Sequence, residues 1–147
     1  MKIYYEIDKD SILYDHNKGR VEAFKIWFDF DDKAYPCEGW YDNGLVLLSW
    51  WVTSWESMTN GLTNQGLAFM EGPYKLNMEQ NGTDLLLIDP ANDIKITCNL
   101  LELGKELKHA VNGVLRHFKN IGIDSHNIHN LMKCLTILEK NLHKIKE

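Results

Sequence analysis

Four sets of side chains have types and spacings on which chemistry could be built. The first is histidine. His126 and His129 stand three apart, close enough on a helix to touch one metal ion. No cysteine or carboxylate at ligand spacing completes the set, and no His-Glu-x-x-His run occurs. With His109, His117 and His143 they read as polar helix surface. The second is Cys37. A thiolate forms at neutral pH beside a cation or a helix end, whereas Cys37 adjoins Glu38 in an acidic stretch. The third is Asp29, Asp31 and Asp32, which could approach a divalent cation but lack the glycine and distal glutamate of a calcium loop. They read as a charged strand end. Glycine-rich phosphate loops and the Gly-x-Ser-x-Gly elbow are absent. No catalytic residue, metal or cofactor is therefore expected, and the chain reads as a binding protein rather than an enzyme.

The fourth set is an alternation of large rings with acids: Trp40-Tyr41-Asp42, Trp50-Trp51, Trp55-Glu56 and Phe69-Met70-Glu71-Gly72-Pro73-Tyr74. One reading makes the rings core and the acids solubility charges. The other places some of both on one exposed face that docks a basic protein. Trp and Tyr are rigid anchors, and carboxylates speed encounter with a cationic surface. On that reading the partner-binding residues are Asp29, Asp31, Asp32, Glu38, Tyr41, Asp42, Trp50, Trp55, Glu56 and Glu71.

The elements that must position these groups follow from periodicity. Residues 2–7 read as a short strand. Residues 21–30 alternate, with Phe24, Ile26, Phe28 and Phe30 on one face. Asp42 is the expected N-cap of a helix over 45–58. There Trp51, Trp55 and Met58 recur at helical spacing, although β-branched and aromatic content also suits a strand. Strands are expected at 67–70 and 74–79, with Asn81-Gly82 as a hairpin turn, a return from Thr83 to Asp89 and a further strand from Ile94 to Cys98. The last third changes period. Leu103, Leu107, Ala110, Val111, Val114 and Phe118 share one helical face, and Ile128, Leu131, Leu135, Leu138, Leu142 and Ile145 form a second seam. Gly122 and Asp124 or Ser125 mark the break between them. The fold class is α+β. It is expected to hold a mostly antiparallel sheet of about five strands, packed by helices, with a C-terminal antiparallel helix pair.

Length and composition bound the rest. The 147 residues, 44% hydrophobic and 25% charged, suit one globular domain over 1–147. Three widely spaced cysteines make no disulfide framework and point to a reducing compartment. The stretch Met1-Lys2-Ile3-Tyr4-Tyr5-Glu6-Ile7-Asp8 offers no apolar signal segment, and no run is long enough to span a membrane, so a cytoplasmic location is expected. Asn81-Gly82-Thr83 matches a glycosylation sequon but reads as a turn. Charge is uneven. Residues 1–100 hold 16 acids against 8 bases, while residues 101–147 hold 5 against 8. Between 29 and 94, 11 acids face only Lys33 and Lys75. Phosphate would be repelled there, which argues against nucleic acid, and a cationic partner would be attracted.

In size, acidity and Trp-rich middle, with Trp40-Tyr41-Asp42, Trp50-Trp51 and Phe69-Met70-Glu71-Gly72-Pro73-Tyr74, the chain resembles the small immunity proteins that bacteria encode beside secreted polymorphic or contact-dependent toxins. The resemblance implies non-catalytic neutralisation of a cognate, cationic protein toxin by covering its active site or a nearby surface. It implies no particular fold. Two rivals come from other classes: a small-molecule-binding domain or small enzyme with an aromatic and acidic pocket, and a structural subunit held by its C-terminal helices. Those helices could also form a homodimer surface.

Overall fold

The computed structural model describes residues 1–82 and 84–145. Among them are four helices and two antiparallel sheets of four strands each. The first sheet holds β1 (Lys2–Glu6), β2 (Phe24–Asp29), β3 (Ala34–Tyr35) and β4 (Tyr41–Asp42). β2 is its spine. It pairs with β1 along one edge and with β3 and β4 along the other. The second sheet is a meander of β5 (Gln65–Ala68), β6 (Lys75–Asn81), β7 (Asp84–Asp89) and β8 (Ile94–Cys98). The α+β class stands, but one sheet of about five strands is corrected to two of four. β3 and β4 are two residues long, too short for any alternation to show, and a long helix separates the two groups of strands in sequence.

That helix is α2 (Gly44–Thr59), as the recurrence of Trp51, Trp55 and Met58 predicts. Leu45, Leu47, Leu48, Trp51, Val52, Trp55 and Met58 are all buried, so most of its circumference is packed and only a strip at Trp50 and Thr53 is exposed. Trp51 packs on Phe28 of the first sheet at 4.7 Å and donates its indole N–H to the Ala68 carbonyl of the second at 2.8 Å. Asn43, not Asp42, occupies the N-cap position, because Asp42 is held in β4. A shorter helix, α1 (Lys9–Asn17), connects β1 towards β2 and was not foreseen. Its cap is Asp8, whose carboxylate accepts from the backbone of Asp10 and Ser11.

The C-terminal helices are α3 (Leu100–Asn120) and α4 (His126–Ile145). The six expected core positions of α3 are all fully buried. Gly122, at φ +76, ends that helix as expected, in a conformation that glycine adopts at little cost. Ser125 Oγ accepts from the Ile128 N–H at 3.4 Å to open α4. The two helices run antiparallel, with Lys108 beside Glu139 at 3.6 Å, and α4 also packs on α2. In the β6–β7 hairpin Asn81 pairs with Asp84, so the reversal follows Asn81 and uses Gly82 at φ +65. Thr83, the expected start of the return strand and the end of the sequon, lies outside the described residues. A single apolar core runs from Ile3 through both sheets to Leu142.

Candidate functional site

Strand alternation gives the first sheet two unlike faces. Ile3, Phe24, Ile26, Phe28 and Tyr35 point inward and are buried against α2, α3 and the second sheet. The residues between them point outward. Cross-strand pairing there sets Tyr4 opposite Trp27, Glu6 opposite Lys25, Lys25 opposite Tyr41, and Lys2 opposite Asp29. Tyr4 and Trp27 stack with ring centroids 5.8 Å apart. Tyr4 and Tyr41 are 41% and 50% exposed, while Trp27, stacked against Tyr4, is buried, so the face is open to solvent at its tyrosines.

The turn after β2 supplies more acid. Phe30 N–H donates to the Lys33 carbonyl at 2.8 Å, and the reversal puts Asp31 at φ +67, a left-handed conformation that Asp tolerates better than most residues. Asp31 and Asp32 are thereby presented at the end of the sheet beside Asp29. Glu38 arrives from the connection between β3 and β4. The result is a groove of about 480 Å³ holding Glu6, Asp29, Asp31, Asp32 and Glu38 over Tyr4 and Trp27. Five carboxylates meet one ammonium in it, that of Lys33, whose Nζ is turned to the carbonyls of Asn92 and Asp93 at 3.2 and 3.4 Å. Lys25 lies 3.7 Å from Glu6, a solvated pair that offsets little of the field. Electrostatically the groove suits a cation, and its aromatic floor suits a flat or aliphatic stem.

Of the ten residues singled out from sequence, Asp29, Asp31, Asp32 and Glu38 meet in this groove, and Tyr41 shares its face through Lys25. The others do not join them. Trp50 is 42% exposed, but it and half-buried Glu56 sit on α2, which covers the inner face of the sheet. Glu71 is exposed in the turn between β5 and β6. Two are corrected outright. Trp55 is fully buried and donates its indole N–H to the Leu100 carbonyl at 2.8 Å. Asp42 is also buried. Its carboxylate accepts from Trp40 Nε1 at 3.0 Å and from the backbone of Asn43 and Glu71 at 2.7 and 3.1 Å. Both are fastenings of the interior, without a surface to offer a partner.

The residues missed were Tyr4, Glu6 and above all Trp27. The signal was present: Trp27 lies between Ile26 and Phe28, so alternation forces it onto the face of Lys25 and Asp29. Stacked against Tyr4 it is only 7% exposed, so it forms the base of the groove, and Tyr4 is the ring that stands open to a partner.

The remaining candidates resolve structurally. His129 Nε2 lies 2.7 Å from Asp124 Oδ1, so a carboxylate does stand beside the histidine pair, while His126 Nε2 meets Asn130 at 3.2 Å. Among the described residues no three His, Cys, Asp or Glu side chains converge as metal ligands. Burial, with help from Glu102, pushes the Cys98 thiol up to about 12, and burial raises Cys134 as well, so neither supplies a thiolate at neutral pH. Among the described residues no helix is long and apolar enough to cross a membrane.

Fold and groove together define a small α+β protein whose distinguishing feature is an acidic, aromatic-floored groove on an open sheet face. Protein-family models, curated proteins and solved structures were each compared with the chain, and none matches.

Proposed function

We propose that this chain is an immunity-type inhibitor that binds a cognate cationic protein toxin without catalysis, in the bacterial cytoplasm, through the outer face of the first sheet. The observation that carries the reading is the gathering of Glu6, Asp29, Asp31, Asp32 and Glu38 around the stacked Tyr4–Trp27 pair. Carboxylates held by backbone geometry attract basic side chains without reorganising. Tyr4, the exposed ring of the stacked pair, gives the aliphatic stems of Lys or Arg something apolar to cover. A toxin whose active site binds a phosphate backbone would present such side chains, and an acidic groove laid over them would block its substrate.

The test is protection in cells. The chain, as wild type and as Asp31→Lys/Asp32→Lys, is co-expressed with the product of the adjoining gene, tested as the candidate toxin. The wild-type chain is expected to restore growth and the double reversal to lose protection at equal soluble abundance. Full protection by the reversed protein would remove the groove from the mechanism.

A further inference from the structure

We propose that the cleft between the C-terminal half of α3 and the N-terminal half of α4 is a second docking site, one that takes an acidic amphipathic helix of a partner protein. This inference is independent of the acidic groove, and either can fail without the other. The cleft has a volume of about 690 Å³ and is floored by Leu115, Ile123, Ile128, Met132 and Leu135. Ile123 and Ile128 are buried and form its bottom, while Leu115 and Leu135 are half-buried and Met132 is exposed above them. The deepest core positions lie to the other side, Leu107, Val111, Val114 and Phe118 on α3 and Leu131 and Leu138 on α4, all fully buried, with Ile128 at the boundary between core and cleft. Positions 112, 115, 116 and 119 of α3 and 128, 132, 135 and 136 of α4 form a further face on each helix, repeating at three and four residues. Two antiparallel helices with such faces side by side leave a groove of the form that accepts a third helix. Met132 remains 51% exposed, an apolar side chain left at the mouth.

Charge selects the occupant. Arg116 and Lys119 stand on the rim, and among the described residues neither pairs with a carboxylate. The one acid on the rim, Asp124, is held by His129 at 2.7 Å. A second copy docked through the same face would gather four unpaired cations, Arg116 and Lys119 of both chains, around one interface, because a two-fold interface repeats its residues. Like charges so gathered are unfavourable. A partner helix with leucine-type anchors and flanking glutamates satisfies floor and rim together.

The probe is a synthetic 18-residue helix with Leu at i, i+3, i+4 and i+7 and Glu on both flanks. A control peptide carries Lys in place of Glu. Binding is read by fluorescence anisotropy. The Glu peptide is expected to bind at least ~10-fold tighter than the Lys peptide, and Met132→Glu to weaken it by about 10-fold, a difference of about 1.4 kcal/mol. Arg116→Glu/Lys119→Glu is expected to reverse the preference between the peptides. All three positions are exposed, so the variants should keep the wild-type circular dichroism spectrum. Equal binding of the two peptides, or binding unchanged by Met132→Glu, overturns the proposal. So does a dimer in sedimentation that Met132→Glu abolishes, because the cleft would then be a self-interface.

Discussion

Tyr35 and Asp89 show how a single pair of side chains ties the two sheets together. Tyr35 reaches from β3 to donate its hydroxyl to Asp89 Oδ2 at the end of β7, and Asn92 Nδ2 donates to the same oxygen at 2.8 Å. Burial alone would raise the Asp89 carboxyl. The hydrogen bonds from Tyr35, the Asn92 side chain and the backbone of Asn92 and Ala91 outweigh it and hold that carboxyl below its usual range. Tyr35 moves the other way, raised by burial and by its bond to the carboxylate. Stability from a raised phenol is present below the unfolded value of about 10 and is lost as pH climbs beyond it. Tyr35→Phe leaves a buried carboxylate short of a donor and should cost roughly 1–3 kcal/mol in urea unfolding at pH 7. That gap between wild type and variant should narrow above pH ~10, where only the wild type has this phenol to ionise on unfolding. A gap that stays constant from pH 7 to 10.5 would show that the phenol is not held neutral by the fold. At this scale sequence was a partial guide. It marked Asp42 as a surface cap, whereas three donors from two separate segments claim its carboxylate. No local pattern encodes a contact between residues 42 and 71.

Elements were more legible where their periods were long. The two C-terminal helices and the central helix could be read because their apolar stripes are repeated over 16 to 21 residues. α1 was missed because it has no stripe, with Ile12 its only buried residue, and is fixed by its cap instead. How the helices approach one another could not be read, and Gly104 shows why. It sits at the meeting of α2, α3 and α4, where a Cβ would fall 2.5 Å from Trp55 Cζ2 and 2.7 Å from Leu142 Cδ2. Two effects compete in Gly104→Ala. Helix propensity favours alanine by ~1 kcal/mol, while overpacking a tight core costs ~1–3 kcal/mol. The ring and the leucine are both enclosed, so neither can swing aside and the clash should win. Gly104→Ala is expected to lower the thermal midpoint, whereas the same change at a solvent-exposed helical glycine would raise it. A raised midpoint would mean that α3 can slide away from Trp55 without loss.

On the scale of the whole molecule, the uneven charge of the sequence becomes a division between two faces. The acids of residues 29–38 gather at the outer surface of the first sheet, while Arg116 and Lys119 border the cleft between α3 and α4. Sequence showed the imbalance but not the gathering, because Glu6 and Glu38 are brought to Asp29 only by strand pairing. If the acidic groove docks a cationic protein, charge and rings should divide the kinetics between them. The carboxylates act at long range, so the association rate should fall steeply between 20 and 500 mM salt, as the screening length shrinks from roughly 20 Å to below 5 Å. Asp31→Lys/Asp32→Lys should slow association at low salt by ~10-fold or more and flatten the salt dependence. Tyr4 acts only on contact. Tyr4→Ala should leave association nearly unchanged and hasten dissociation by ~10-fold or more, as for a buried aromatic anchor. Stopped-flow binding across a salt series measures both rates on the same samples. An association rate indifferent to salt would show that the gathered carboxylates do not steer the partner. Dissociation indifferent to Tyr4 would place the contact away from the Tyr4–Trp27 floor.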